Sequence, residues 1–163
     1  MKNITQDQVR EWFDYDPSGK LLWKIKASKK TVVGTPAGSK NRMGYTNVVF
    51  NHQQAYLHRL IWLWHNGSVP KVLDHIDGDP TNNRIENLRP ATQQQNTFNS
   101  RTKHKDLTVP KNVYWDKSKR KWAVSISKGG KCLLRKRFAD LELAELVAYE
   151  ARIKFFGEFA CHV

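Results

Sequence analysis

The 163-residue sequence is poor in cysteine and contains no long apolar run. Its two cysteines, Cys132 and Cys161, are too few and too far apart for a disulfide framework or a cysteine-based zinc site. We expect both to be reduced, as in a cytoplasmic protein. The longest aliphatic and aromatic run, residues 60–64, is far shorter than the roughly 20 residues that cross a bilayer. With no apolar run near the start, neither a signal peptide nor a membrane span is expected.

Acidic residues are also scarce, since 15 Asp and Glu stand against 28 Lys and Arg, which gives a formal net charge of +13. Residues 103–137 alone contain twelve Lys or Arg and two Asp, a net charge of +10. Such an excess favours a polyanionic partner, and nucleic acid is the commonest one. A membrane surface would also attract this charge. The segment, however, alternates like strands and lacks a basic amphipathic helix, so no membrane partner is expected.

The remaining composition is typical of a folded protein, with 39% hydrophobic residues, 26% charged residues, six Trp and seven Phe. Thr5 and Gln8 have the spacing of a capping box, which predicts a short helix within residues 4–15. The apolar run at 60–64 fits either a helix or a buried strand, and the following Asn66-Gly67 favours a helix. Turn residues and alternation predict three further elements: a strand over 21–25, a loop over 26–42 and a hairpin over 45–57.

Residues 72–101 predict a small ββα unit. A short strand, a tight polar loop, a second strand and a helix follow one another, at 72–76, 77–83, 87–89 and from Thr92 to about 101. Asp74 and His75 end the first strand, and Asn96 lies in the first turns of the helix. Neighbours in a regular strand point to opposite faces, so Asp74 and His75 share a site only if the chain bends there.

One carboxylate and one amide oxygen form a hard, sparse ligand set. Such a set suits Mg²⁺ or Mn²⁺, which keeps waters and takes its other ligands from substrate phosphate. Histidine is the side chain whose ordinary pKa lies close to neutrality, so His75 can accept a proton from water. A divalent ion and a base together supply what phosphodiester hydrolysis needs.

These residues resemble the HNH nucleases, in particular the phage and intron-encoded homing endonucleases. The resemblance is carried by Asp74-His75-Ile76-Asp77-Gly78-Asp79, by residues 82–89 (NNRIENLR) and by Gln95-Asn96. It implies that Asp74 and Asn96 bind a divalent metal, that His75 is the general base, and that Asn87 braces the loop by hydrogen bonds to backbone. Asn96 stands where the motif's name expects a second histidine, as in the homing branch. Asn99, one turn further along the helix, is the alternative ligand.

The C-terminal part has a different pattern, in which three basic strands at 113–115, 122–126 and 132–138 precede a helix that begins at Asp140 and ends at Gly157. It resembles the apetala/ethylene-response-factor (ERF) type of DNA-binding domain. The resemblance is carried by residues 112–117 (NVYWDK), 121–126 (KWAVSI), Phe138 and 155–160 (FFGEFA). That family reads DNA with the sheet face turned away from the helix. The contact candidates are therefore Tyr114, Asp116, Arg120, Lys121, Ser125, Ser127, Lys131, Arg135, Lys136 and Arg137.

The sequence thus predicts an α+β protein with two modules. The N-terminal module is an HNH ββα-metal nuclease, and the C-terminal one is a three-stranded antiparallel sheet packed on one helix. Their expected bounds are 1–102, with a ββα core at about 70–101, a linker at 103–110 and the DNA-binding domain at 111–163. The expected activity is metal-dependent nicking of double-stranded DNA by a monomer, with no small-molecule substrate. A non-catalytic DNA-binding regulator and an RNA-binding or RNA-processing protein are the alternatives.

Overall fold

The structure, a computed structural model, describes residues 4–99 and 109–160. Its contacts divide the chain into two compact units, Met1–Thr92 and Gln93–Val163, and each is described by itself. Most of the expected linker at 103–110 lies outside the described residues. The expected module bounds therefore stay a prediction. Within the described residues, the fold is mixed α and β, with four α-helices and several small antiparallel sheets.

The first unit begins with α1 (Gln6–Trp12), and its capping box of Thr5 and Gln8 is present as predicted. The helix ends earlier than the sequence pattern suggested. Phe13 is extended and begins β1 (Phe13–Asp16), which pairs antiparallel with β2 (Lys20–Trp23). Pairing with β2 places Phe13 at the centre of the core, where it is fully buried. This tertiary burial outweighs the helical pattern of the preceding residues.

A three-stranded sheet follows, formed by β3 (Ser39–Lys40), β4 (Thr46–Phe50) and β5 (Gln53–Tyr56). The predicted hairpin is confirmed, and both residues of its turn, Asn51 and His52, have positive φ angles of 45° and 57°. Positive φ at both positions gives the turn a twist that suits the paired strands.

The chain then enters α2 (Leu57–Asn66), so the apolar run at 60–64 is helix rather than strand. Gly67 ends it with a φ of 73°, a left-handed conformation that costs glycine little. Leu60 and Ile61 are fully buried and pack in one cluster with the core residues of α1, β1 and β2. Strands β6 (Val72–His75) and β7 (Leu88–Ala91) then form an antiparallel pair, with one 3₁₀ turn at Ile85–Asn87 between them.

The second unit contains α3 (Gln93–Asn99), a sheet of β8 (Val113–Asp116), β9 (Lys121–Lys128) and β10 (Lys131–Phe138), and α4 (Leu141–Phe156). The sheet is antiparallel with β9 in the centre. Val124 and Ile126 of β9 pack against Ala144 and Ala148 of α4. The predicted sheet packed on one helix is therefore present, and Asp140 and Gly157 cap α4 as expected.

Helix α3 is anchored inside this second unit. The ring of Phe98 stacks on Phe156 with a centroid distance of 4.2 Å. The backbone oxygen of Phe98 accepts hydrogen bonds from Lys111 Nζ at 3.1 Å and from Arg152 Nη2 at 3.2 Å. Since β6 and β7 belong to the first unit and α3 to the second, their assembly as one ββα unit stays a prediction. None of the helices in the described ranges has the length and apolar character needed to span a membrane.

Candidate active site

Asp74 and His75 lie at the end of β6 and are both buried, with relative exposures of 4% and 6%. The strand register places Asp74 opposite Arg89 of β7. Nε and Nη2 of Arg89 each lie 3.0 Å from Oδ2 of Asp74, which compensates the buried carboxylate charge. The sequence analysis placed Arg89 in the second strand of the ββα unit and did not identify Asp74 as its partner. The partner follows from the register of β6 and β7, which no local sequence signal specifies.

The imidazole of His75 is held by Asn83. Its Nε2 lies 3.1 Å from Oδ1 of Asn83, and Nδ2 of the same amide donates to the backbone oxygen of Thr81 at 3.1 Å. The second bond fixes which end of the amide faces the imidazole, because a flipped amide would place two oxygens together. Nε2 of a neutral His75 therefore carries the proton, and Nδ1 is its basic nitrogen. Sequence reasoning treated Asn83 as a turn residue.

Asn87 braces the loop that follows His75. Its Nδ2 donates to the backbone oxygen of Asn82 at 2.8 Å and to Oδ1 of Asp77 at 3.0 Å. Its Oδ1 accepts from the backbone N–H of Asp77 at 3.1 Å. Burial would raise the pKa of Asp77, but hydrogen bonds from Asp79, Asn82 and Asn87 lower it overall. Asn87 thus makes the expected backbone bonds, whereas its catalytic role stays a prediction.

The turn between β1 and β2 supports the same loop from outside. Gly19 has a φ of 84°, and a Cβ at this position would lie 2.6 Å from the backbone nitrogen of Arg84. Only glycine permits this close approach together with this backbone conformation. The hydroxyl of Tyr15 also accepts a hydrogen bond from the backbone N–H of Ile85 at 3.2 Å. The loop that carries Asn83 is therefore fixed by the hairpin of β1 and β2.

A group of rings packs beside His75. The His58 ring meets it edge to face, with a centroid distance of 5.0 Å, and stacks on Tyr56. Burial, then the positive charges of His75 and Arg59, lower the pKa of His58 to about 3, so His58 is neutral at physiological pH. Tyr45 contacts both histidines, and burial, Tyr56 and Asp74 raise its pKa. These rings restrict the orientation of the His75 imidazole.

The remaining metal-ligand candidates lie on α3. Asn96 is partly buried there and Asn99 is buried. Across residues 4–99 and 109–160, no three His, Cys, Asp or Glu side chains cluster closely enough to hold a metal ion. The expected set of one carboxylate and one amide needs no such cluster. Asp74 and Asn96 belong to different units, so their binding of one ion stays a prediction.

In the second unit, the strand register sorts the DNA-contact candidates by sheet face. Seven lie on the face turned away from α4: Tyr114, Asp116, Lys121, Ser125, Ser127, Arg135 and Arg137. Lys136 pairs with Val124 and Lys131 with Lys128, which places both on the other face, and Arg120 lies in the turn before β9. Hydrogen bonds from Ser118 and Arg137 lower the pKa of Asp116 to about 2, so this face carries one carboxylate at neutral pH.

Comparison with known proteins gives one family and several relatives. Residues 55–98 match a family model described as HNH endonuclease. Protein 3.8 of Escherichia phage T7 is 34% identical over 107 residues, 63% of this chain and 86% of the phage protein. The HNH endonuclease L560 of Acanthamoeba polyphaga mimivirus, named as uncharacterized, is 32% identical over 141 residues, 85% of this chain and 68% of L560. YosQ of Bacillus subtilis strain 168, named as an SPbeta prophage-derived HNH homing endonuclease, is 34% identical over 79 residues, 47% of this chain and 44% of YosQ. No solved structure matches the chain significantly.

Proposed function

Because the chain belongs to the HNH endonuclease family, we propose that it nicks duplex DNA with His75 as general base and a divalent metal held by Asp74 and Asn96. That it is an endonuclease acting on DNA follows from the family itself. The observation that carries the proposal is the buried Asp74–His75 pair at the end of β6, with the imidazole fixed by Asn83. The phage relative favours action on phage DNA in the cytoplasm of an infected bacterium.

The donor set fits a divalent metal of the Mg²⁺ or Mn²⁺ type, and HNH endonucleases generally use a divalent ion. Arg89 engages Asp74 through Oδ2, and a carboxylate has two oxygens that accept several partners. Pairing with Arg89 is thus compatible with metal binding by the same carboxylate. When bound, such an ion supplies charge stabilisation at the scissile phosphate and the leaving oxygen.

His75 acts on the attacking water. Its Nε2–H donates to Asn83, so Nδ1 is the nitrogen that takes the proton from the water. The His58 ring packs edge to face against it and, being neutral, adds no charge that would oppose protonation of His75. Asn87 keeps the loop closed through Asp77 and Asn82, which maintains Asn83 at the imidazole.

A plasmid assay tests this activity. With the full chain and Mg²⁺ or Mn²⁺, a supercoiled plasmid carrying phage DNA fragments should become open-circular before linear DNA accumulates, because one active site cuts one strand per event. EDTA should abolish the reaction, since the metal is required. Cleavage that continues in EDTA, or linear product from the first time points, would contradict the proposal.

Asn83 is proposed as the positioning residue for His75. The change Asn83→Ala removes the acceptor of Nε2–H, so kcat should fall by about 10- to 100-fold with little change in KM, a loss of the kind seen when second-sphere orientation is removed. The ¹⁵N spectrum of His75 should shift from the Nε2–H tautomer to a mixture of both. Asn82→Ala removes a loop bond to Asp77 without touching His75, and it should keep the tautomer of the wild type. An unchanged spectrum in Asn83→Ala would refute this role.

The second unit is proposed to hold the duplex, in the manner of an ERF-type domain. The basic residues on its outward face, among them Lys121, Arg135 and Arg137, support contact with phosphates. The carboxylate of Asp116 is paired with Arg137 at 2.9 Å, which limits its repulsion of DNA. We place Lys131 and Lys136, which lie on the other face, at the margin of this contact. The enzyme is proposed to act as a monomer.

A further inference from the structure

The segment after β2 forms an exposed basic loop, defined here as residues 26–34. It contains Lys26, Lys29 and Lys30 and no acidic residue. All three lysines are exposed, and their ammonium groups have no hydrogen-bond or ion-pair partner among the described residues. In the second half of the same loop, the side chains of Val32 and Val33 are 62% and 56% exposed. Two adjacent valines and three lysines without partners thus share one small surface.

Hydrogen bonds within the first unit hold the basic loop in a defined conformation. At its base, the backbone N–H of Gly34 donates to Trp23 O at 2.8 Å, and Trp23 N–H donates to Thr35 O at 3.0 Å. The hydroxyl of Thr35 donates to Val32 O at 2.7 Å, which closes the turn beneath the two valines. The Ser28 and Thr31 hydroxyls bond to each other at 2.9 Å. These bonds hold the valines in solvent at a cost in hydrophobic free energy that a partner could recover.

The loop lies on the hairpin that supports the active-site loop. One end of β2 follows Gly19, which abuts the backbone of Asn83 and Arg84, and the other end leads into the basic loop. A strand of four residues spans roughly 13 Å. The basic loop is therefore one short strand away from the turn that contacts the active-site loop.

We infer that the basic loop is a separate DNA contact of the first unit, in which the lysines neutralise phosphates and Val32 and Val33 pack in the groove between them. The inference rests on the proposed function. Apolar side chains flanked by cations are the chemistry that proteins insert into a DNA groove. An anionic membrane surface offers similar chemistry, but stable membrane binding needs a larger apolar face than two valines.

Duplex binding by the full chain tests the loop, with a fluorescein-labelled 40-base-pair DNA of mixed sequence, in EDTA so that the probe stays intact. Val32→Ser/Val33→Ser should raise Kd about tenfold, because the variant loses the apolar area that the two valines would bury against DNA. The salt dependence of binding should stay unchanged. Lys29→Gln/Lys30→Gln should reduce the slope of log K against log salt by about 1.8, because two phosphate contacts are lost.

Val49→Ser is the matched control, since Val49 is 61% exposed on β4, outside the loop. It should change Kd less than twofold. Wild-type affinity in both loop variants, or an equal loss in Val49→Ser, overturns the inference. A loss of binding to phosphatidylserine vesicles with unchanged DNA binding also overturns it. A plasmid-nicking assay distinguishes failure of this inference from failure of the proposed function. If the wild-type chain binds DNA through the loop but never cuts it, only the proposed function is refuted.

Discussion

The change His75→Ala should lower the rate of plasmid nicking by about 10³-fold, within the range that general-base catalysis contributes. In the proposed mechanism the imidazole takes the proton from water, and alanine leaves no base at this position. Duplex affinity should change less than threefold, because His75 is buried and lies outside both proposed DNA contacts. Single-turnover nicking measured beside binding would separate the two effects.

His52→Asn is the matched control for this experiment. His52 is exposed in the hairpin turn with a φ of 57°, a conformation that asparagine tolerates. Its nicking rate should equal that of the wild type. Because His75 is buried, a thermal melt must show that His75→Ala still folds. A folded variant that retains more than a tenth of the nicking rate would remove His75 from the proposed mechanism.

The change Arg152→Leu should destabilise the second unit by about 3 kcal/mol, the loss expected for two hydrogen bonds from a buried charged group. Arg152 is only 2% exposed, and it donates to Oδ1 of Asn112 and to Phe98 O. Its guanidinium also lies 5.4 Å from the centroid of the Phe156 ring. These bonds join α4, the start of β8 and α3, so one substitution loosens all three.

Amide hydrogen exchange in β9 (Lys121–Lys128) reports this loss directly, because protection in a central strand follows the unfolding free energy of its unit. Arg135→Leu is the control, since Arg135 is exposed on β10 and the substitution is chemically the same. It should change the protection of β9 by less than about 0.5 kcal/mol. Equal effects of the two substitutions would show that Arg152 has no special structural role.

Local signals in the sequence predicted most of the secondary structure. The capping box of Thr5 and Gln8, the turn at Asn51 and the glycine after α2 each specify an element through neighbouring residues alone. The motif at Asp74-His75 likewise located the end of β6. Such features are readable because their causes lie within a few residues of one another.

Longer-range contacts were not predictable in the same way. The pairing of Asp74 with Arg89 depends on the register of β6 and β7, and the bond from His75 to Asn83 depends on the path of the loop between them. Lys136 was grouped with its neighbours Arg135 and Arg137, although alternation along β10 places it on the opposite face. For Arg89 and Lys136, a shift of one residue in strand register would change which side chains meet.

The packing of α3 in the second unit limits where recombination between related genes can join two such proteins without loss of stability. The helix that carries Asn96 is secured by Phe156 and Arg152, far downstream in the chain. A recombination crossover inside residues 100–108 would join α3 to the C-terminal part of another protein, and α3 would lose its contacts with Phe156 and Arg152. Hybrids joined before residue 93 would inherit the helix with its own support. The helix that carries Asn96 is therefore inherited together with the sheet and the helix α4 that support it.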